Sequence, residues 1–238
     1  MIRRFIRSRL TLGAQRALRQ LLFELKIWRH HHAGVAKARG LRAPIKLHLG
    51  CGTSLKAGWV NVDLFEPGAD LALDLREPLP FADGSVSIVH SEHFLEHLEY
   101  VPNDVARLLR EAYRVLSPGG VLSVGVPDAA PHMAAYARGD TAFFGGAWNP
   151  SYPEWLRVPM HRINYLFRQF GEHKYAYDEE ILTGALREAG FADVRRREFN
   201  PELDLESRRD GTLYVSGTKP ASPAPGPSSR RATHVPPP

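Results

Sequence analysis

The chain has 238 residues, a formal net charge of +5 and one cysteine, which suits one α/β domain with additions and a single substantial core. Cys51 alone can form no internal disulfide, so a reducing, cytoplasmic setting is the default expectation. The positive charge is local: residues 1–42 hold eleven Lys and Arg against one acid, Glu24, and the mildly acidic remainder has no basic stripe, which disfavours nucleic acid as a partner.

From the N-terminus, Phe5, Leu10, Ala14, Leu18, Leu21, Leu22, Leu25 and Trp28 recur at helical spacing between arginines. They predict a basic amphipathic helix in residues 1–42, either packed on the following domain or lying on an anionic membrane surface. No apolar run reaches a membrane span, although the acid-free, Arg-rich start also resembles an organelle transit peptide. Strands are expected near 45–49, 59–63, 69–73, 86–90 and 121–126. A helix over about 102–116 is stopped by Ser117-Pro118-Gly119-Gly120. Asp178 is a plausible cap for a later helix that Gly190 ends, and two more strands are expected at 193–198 and 213–218. Alternating strands and helices predict a mostly parallel sheet, and the final loop-linked pair predicts an antiparallel C-terminal edge.

Residues 127–177 break this rhythm. They hold eleven of the 23 aromatic residues, from Tyr136 to Tyr177, and read as an acceptor-side insertion, a lid or a small helical unit with its own aromatic core. The expected organisation is a helical appendage over 1–42, a catalytic domain over 43–219 and a Pro-Ala-Ser-rich disordered tail over 220–238.

The chemistry begins where the first strand runs into Gly50-Cys51-Gly52 and Asp63 closes the second. Glycines at a strand's carboxyl end let a ligand approach the backbone, and an acid ending the next strand can accept from both hydroxyls of a ribose. A dinucleotide site wants a third glycine, a full helix and a longer interval to the acid. Here Leu55 holds the third position, and Gly58-Trp59 leaves little more than one helical turn. A phosphate-free cofactor such as S-adenosylmethionine fits this turn better than NAD.

With LHLGCG, NVD, LDL, LPFADGSVSIVHSEHFLEH and RVLSPGG in this order, the chain resembles a class I S-adenosylmethionine-dependent methyltransferase of the type 11 group over roughly residues 45–219. MHRINYLF and HKYAYDEEILTGALREAGF resemble a bacterial branch linked to glycan or secondary-metabolite pathways. The resemblance implies a Rossmann-like, doubly wound, mostly parallel seven-stranded sheet. It implies cofactor contacts from Gly50, Cys51 and Gly52, a ribose contact from Asp63 with Leu64 beside it, and adenine contacts from Asp74 and the Leu75 amide. His90, Ser91 and His93 would stand where cofactor and acceptor meet, with His93 the candidate base. The acceptor would be the oxygen, less readily the nitrogen, of a small molecule or glycan.

Cys51, wedged between glycines, reads as a small residue that fits rather than as a nucleophile. His93-Phe94-Leu95-Glu96-His97 also matches the H-x-x-E-H pattern of inverted zincin peptidases, which would need both histidines on one helical face. A metallopeptidase, a nucleic-acid methyltransferase and a non-catalytic adaptor stay open as rivals, and no resident metal is expected. The short 52–59 segment should leave one sheet face thinly covered, and the N-terminal helix is the expected cover.

Overall fold

The computed structural model describes residues 10–145, 153 and 155–221. The tail beyond Ala221 and the first nine residues, with Phe5, lie outside the described residues. In chain order the elements are α1 (Leu12–Ala38), β1 (Ile45–Leu49), β2 (Val60–Val62), β3 (Val86–Glu92), α2 (Asp104–Val115), β4 (Leu116–Pro127), α3 (Ala129–Ala137), α4 (Thr141–Gly145), α5 (Pro159–Arg168), α6 (Glu179–Glu188), β5 (Ala192–Arg196) and β6 (Thr212–Thr218). The six strands form one sheet in the order β2-β1-β3-β4-β6-β5. Pairing from β2 to β4 is parallel, while β6 runs antiparallel to both β4 and β5, as the loop-linked final pair predicted.

The seventh predicted strand, 69–73, is reduced to one parallel bridge between Val62 and Leu71. Asp70 explains this: its carboxylate accepts from the Asn61 backbone and side-chain amides at 2.8 and 3.0 Å, holding the segment by a side chain where a ladder would run. Ser117–Gly120 ends α2 as expected but is already part of β4, bulging between the Val86–Leu116 and Ile88–Val121 pairs.

Period-2 alternation gives the sheet two different faces. Leu47, Leu49, Val89, Leu122 and Val124 join the main core with Val105, Leu108, Leu109 and Ala112 of α2 and Leu182 and Leu186 of α6. Fully burying each such side chain is worth about 1.5–3 kcal/mol. The opposite face carries His48, His90, Glu92 and Ser123, all nearly inaccessible. This polar face is closed by the β5–β6 loop: Arg197 pairs with the buried Asp204 at 2.6 Å and donates to Ser123 Oγ at 2.8 Å, and Lys56 donates to the Leu203 carbonyl.

The N-terminal helix therefore does not fill the gap left by the short 52–59 segment. α1, capped by Thr11 accepting from the Ala14 amide, packs beyond β2 along residues 63–76. It does so through Ile27, Gly34 and Ala38, and a Cβ on Gly34 would stand 2.3 Å from the Ala72 carbonyl oxygen. Packing therefore uses one large residue and two small ones, while most of the predicted apolar stripe, Leu18, Leu21, Leu22, Leu25 and Trp28, is exposed. No described helix is long and apolar enough to cross a membrane.

In the 127–177 region Ala135, Phe144 and Ile163 form a separate small core with Phe143 and Phe167. Trp155, Tyr165 and Phe170 pack ring on ring at its surface. Phe143, Phe144 and Phe167 thus belong to a helical unit with a core of its own, while Tyr175 and Tyr177 join the main core.

Candidate functional site

A cleft of about 900 Å³ opens at the carboxyl ends of β1, β2 and β3. Gly50, Cys51, Gly52, Asp63, Leu64, Asp74, Leu75 and His93 all line it, although they come from four separate stretches of sequence. His90 and Ser91 do not. Both are interior residues of β3, where the His90 ring lies 5.2 Å from that of His48, and a side chain within the sheet has no path to the cleft.

Gly50 and Gly52 have φ of +63° and +49°, the left-handed region that glycine enters without strain. A Cβ on Gly50 would fall 2.3 Å from the Phe94 ring, whereas one on Gly52 would meet nothing within 4 Å and would project into open space. The Asp63 carboxylate organises the turn: it accepts from the Gly52 amide at 3.0 Å and from the Phe65 and Glu66 amides at 2.9 and 3.0 Å. Cys51 is buried; desolvation, reinforced by the Asp63 charge, pushes its thiol up to about 12, which makes it a poor nucleophile.

At the far end of this wall Asp74 holds Arg76 through Nε and Nη2, at 2.9 and 2.7 Å, and accepts from the Arg76 amide at 3.0 Å. Burial would raise this carboxyl, but its hydrogen bonds to Arg76 prevail and hold it below the usual range. Arg76 was not foreseen, yet it occupies most of the acceptor capacity of Asp74. Helix α1 supplies the outer wall with Gln20, Phe23, Glu24 and Ile27. It is fixed there by Phe23 against Phe65 (5.3 Å), by the Asp74 amide donating to His31 Nδ1 at 3.2 Å and by His30 Nδ1 against the Leu64 carbonyl at 3.1 Å.

The other end is rich in imidazole. His93 has φ +54°, an outlying conformation for a residue with a Cβ, and its amide donates to the Gly125 carbonyl at 2.8 Å. The Thr212 hydroxyl donates to the Arg208 carbonyl at 2.6 Å, so it accepts from His93 Nε2 at 2.8 Å and leaves His93 Nδ1 bare. Burial, with the nearby Arg208 charge, lowers His93 to about 3 and keeps the ring neutral. Leu95–His97 is one turn of 3₁₀-helix with His93 outside it. The expected pair of histidines on one helical face is therefore absent, and with it the peptidase geometry. Glu96 is buried and desolvation pushes it up to about 8. His97, Gly171, Glu172, Lys174 and Arg208 complete this end of the cleft, and of these His97 and Lys174 lay in motifs singled out from sequence.

Residues 47–124 match the family model described as "Methyltransferase domain", a span from within β1 to within β4 that contains every residue of the glycine turn and both acids. A 37.1 kDa protein of a Streptomyces fradiae transposon is 39% identical over 62 residues, which cover 26% of this chain and 17% of that protein. Among solved structures, a possible histamine N-methyltransferase from Thermotoga maritima aligns at 18% identity and TM-score 0.44, over 86% of this chain and 96% of that one. Phosphoethanolamine N-methyltransferase 2 of Haemonchus contortus, solved with S-adenosyl-L-methionine, aligns at 15% identity and TM-score 0.46, over 79% and 52%. Residues 47–124 thus resemble a methyltransferase domain, and the matched span carries the glycine turn, Asp63 and Asp74 into one cleft.

Proposed function

We propose that this chain is a class I S-adenosylmethionine-dependent methyltransferase that transfers the methyl group to an oxygen, less readily a nitrogen, of a small-molecule or glycan acceptor. The observation that carries the reading is the division of one cleft into two ends, a glycine-and-acid wall and a polar imidazole end. In this reading Gly50, Cys51 and Gly52 border the methionine portion of the cofactor, Asp63 and Leu64 the ribose, and Asp74 and the Leu75 amide the adenine. Asp74 would then share its oxygens between Arg76 and the adenine amino group.

The acceptor would lie against His93, His97 and Lys174. S-adenosylmethionine, when bound, would supply the methyl group to the acceptor's oxygen and leave as S-adenosylhomocysteine, and the bare Nδ1 of His93, a weak base because burial lowers it to about 3, would accept the hydroxyl proton. Alignment of acceptor and methyl can itself contribute about 7–11 kcal/mol, so the base need supply only part of the barrier reduction. The exposed apolar residues of α1, flanked by Arg16, Arg19 and Arg29, support a peripheral contact with an anionic membrane, measurable as co-sedimentation with anionic but not neutral vesicles.

Calorimetric titration with S-adenosylmethionine and S-adenosylhomocysteine, with NAD as control, tests the cofactor side. Both sulfur compounds should bind, NAD should not, and Asp63→Ala should weaken binding at least tenfold and up to about a thousandfold. Release of S-adenosylhomocysteine across panels of hydroxylated metabolites, amines and oligosaccharides tests the acceptor. Turnover confined to amines would refute the preference for oxygen.

A further inference from the structure

Glu96 is 2% exposed, and neither of its carboxylate oxygens has a hydrogen-bond partner among the described residues. Leaving such a group unsatisfied in a protein interior costs several kcal/mol, so its retention calls for a partner. What faces it are ring nitrogens too far away for hydrogen bonds: Oε1 lies 3.9 Å from His93 Nδ1 and 3.9 Å from His97 Nε2. His173, from the stretch after α5, completes the group, its ring edge-on to that of His97 at 4.9 Å between centroids. One ligand atom from each of Glu96, His97 and His173 falls within 4.8 Å of the others.

We propose that Glu96, His97 and His173 bind a divalent first-row transition ion of the Zn²⁺ class. Two imidazoles and a carboxylate are a donor set that suits zinc or iron(II) and leaves a fourth position open. Ligands about 2.0–2.1 Å from a common ion stand about 3.3 Å apart, so binding would draw together atoms that now lie within 4.8 Å of one another. His173 Nδ1–H donates to the Leu166 carbonyl at 2.6 Å, which fixes the ring with Nε2 bare, the arrangement that orients metal-binding histidines elsewhere. The Glu96 carbonyl accepts from the Lys174 amide at 2.7 Å, so the two segments that supply the ligands are also joined through their backbones. His93 Nδ1, 3.9 Å from Glu96 Oε1, borders the group without being one of its three ligands. The ion would tie the end of β3 to residues 169–177, a role that does not depend on methyl transfer.

The test uses the full chain, free of any added histidine tag, stripped with chelator and titrated with Co²⁺ under optical detection, then with Zn²⁺ in competition. One Co²⁺ per chain with the visible absorption of a four- or five-coordinate site is expected, together with displacement by Zn²⁺ and a rise in melting temperature on Zn²⁺ addition. Glu96→Gln, which is nearly isosteric and removes a buried acid, and His173→Ala should each weaken Co²⁺ binding at least about a hundredfold. Substituting His30, His31 and His32, the other histidine cluster, should leave it unchanged. Absence of the absorption band, or a band that survives both Glu96→Gln and His173→Ala, would overturn the proposal.

Discussion

Gly50 and Gly52 share a positive φ and stand two residues apart, yet they should respond differently to the same added methyl. Alanine at either position pays about 1–2 kcal/mol for the left-handed conformation. At Gly52 little more is added, because nothing lies within 4 Å of the new Cβ. At Gly50 the Cβ meets Phe94 Cγ and Cδ2 at 2.3 Å and its Cβ at 2.6 Å. Ordinary carbon contacts are about 3.5–4.0 Å, so the ring must move by more than an ångström. Overpacking of this kind costs a further 1–3 kcal/mol or so, giving about 2–5 kcal/mol for Gly50→Ala against about 1–2 for Gly52→Ala. Urea denaturation measures both. S-adenosylhomocysteine titration should show Gly52→Ala impaired in binding out of proportion to its small stability loss, since its methyl enters the cleft. Phe94→Ala should recover about 1–3 kcal/mol of the Gly50→Ala penalty in a double-mutant cycle. The reasoning fails if Gly50→Ala is no less stable than Gly52→Ala, or if the two substitutions at 50 and 94 are strictly additive.

Stability should fall in mild acid because of the buried imidazole pair. Burial, with Lys56 and Arg208 opposing the weaker pull of Asn61 and Asp63, lowers His48 to about 4, and burial with the charges of His48, Lys56, Arg197 and Arg208 lowers His90 further. The unfolded imidazoles take up protons below about 6.5 while the folded ones do not, so stability is full above that pH and declines below it, by about 2 kcal/mol at pH 5 from His48 alone. Denaturation midpoints at pH 7 and 5, compared with His48→Gln, measure this, and an unchanged pH slope in the variant would count against it. Gly34→Ala should detach α1, since the methyl meets the backbone of Ala72. Proteolysis in residues 39–44 should rise and cofactor affinity should drop as Phe23, Glu24 and Ile27 leave the cleft. Continued protection of that linker would show that the helix accommodates the change.

Much of the sheet was legible because alternation, caps and breakers act locally. Leu47, Leu49 and Val89 announce a buried face, and Asp178 caps α6 by accepting from the Ile181 amide at 2.9 Å as expected. What failed depended on long-range partners. His90 and Ser91 were expected where cofactor and acceptor meet, but β3 is paired on both sides and buries them short of the cleft. The apolar stripe of α1 was read as facing either the domain or a membrane, while docking uses Ile27 with Gly34 and Ala38, two residues too small to give a strong hydropathy signal. Asp74 was legible as an acid of the cleft, its capture by Arg76 was not, and His173 gave no sign of meeting Glu96 across 77 positions of chain. The HKYAYD motif was the available signal, since it puts a histidine just ahead of the α6 cap.

The β5–β6 loop was described as a cover for the polar sheet face, but its ends reach the imidazole end of the cleft. Thr212 at the start of β6 fixes His93, Arg208 donates to the Glu92 carbonyl at 2.9 Å, and Tyr214 donates to the Glu92 carboxylate at 3.1 Å. A strand inserted between β4 and β5 late in the chain therefore sets the geometry of a residue at the end of β3, more than a hundred positions earlier. Such distant pairings form slowly, after local structure. A nascent chain can thus display its glycine turn and acids while the imidazole end is still unformed, so acquisition of a complete site is timed by the arrival of the last strand.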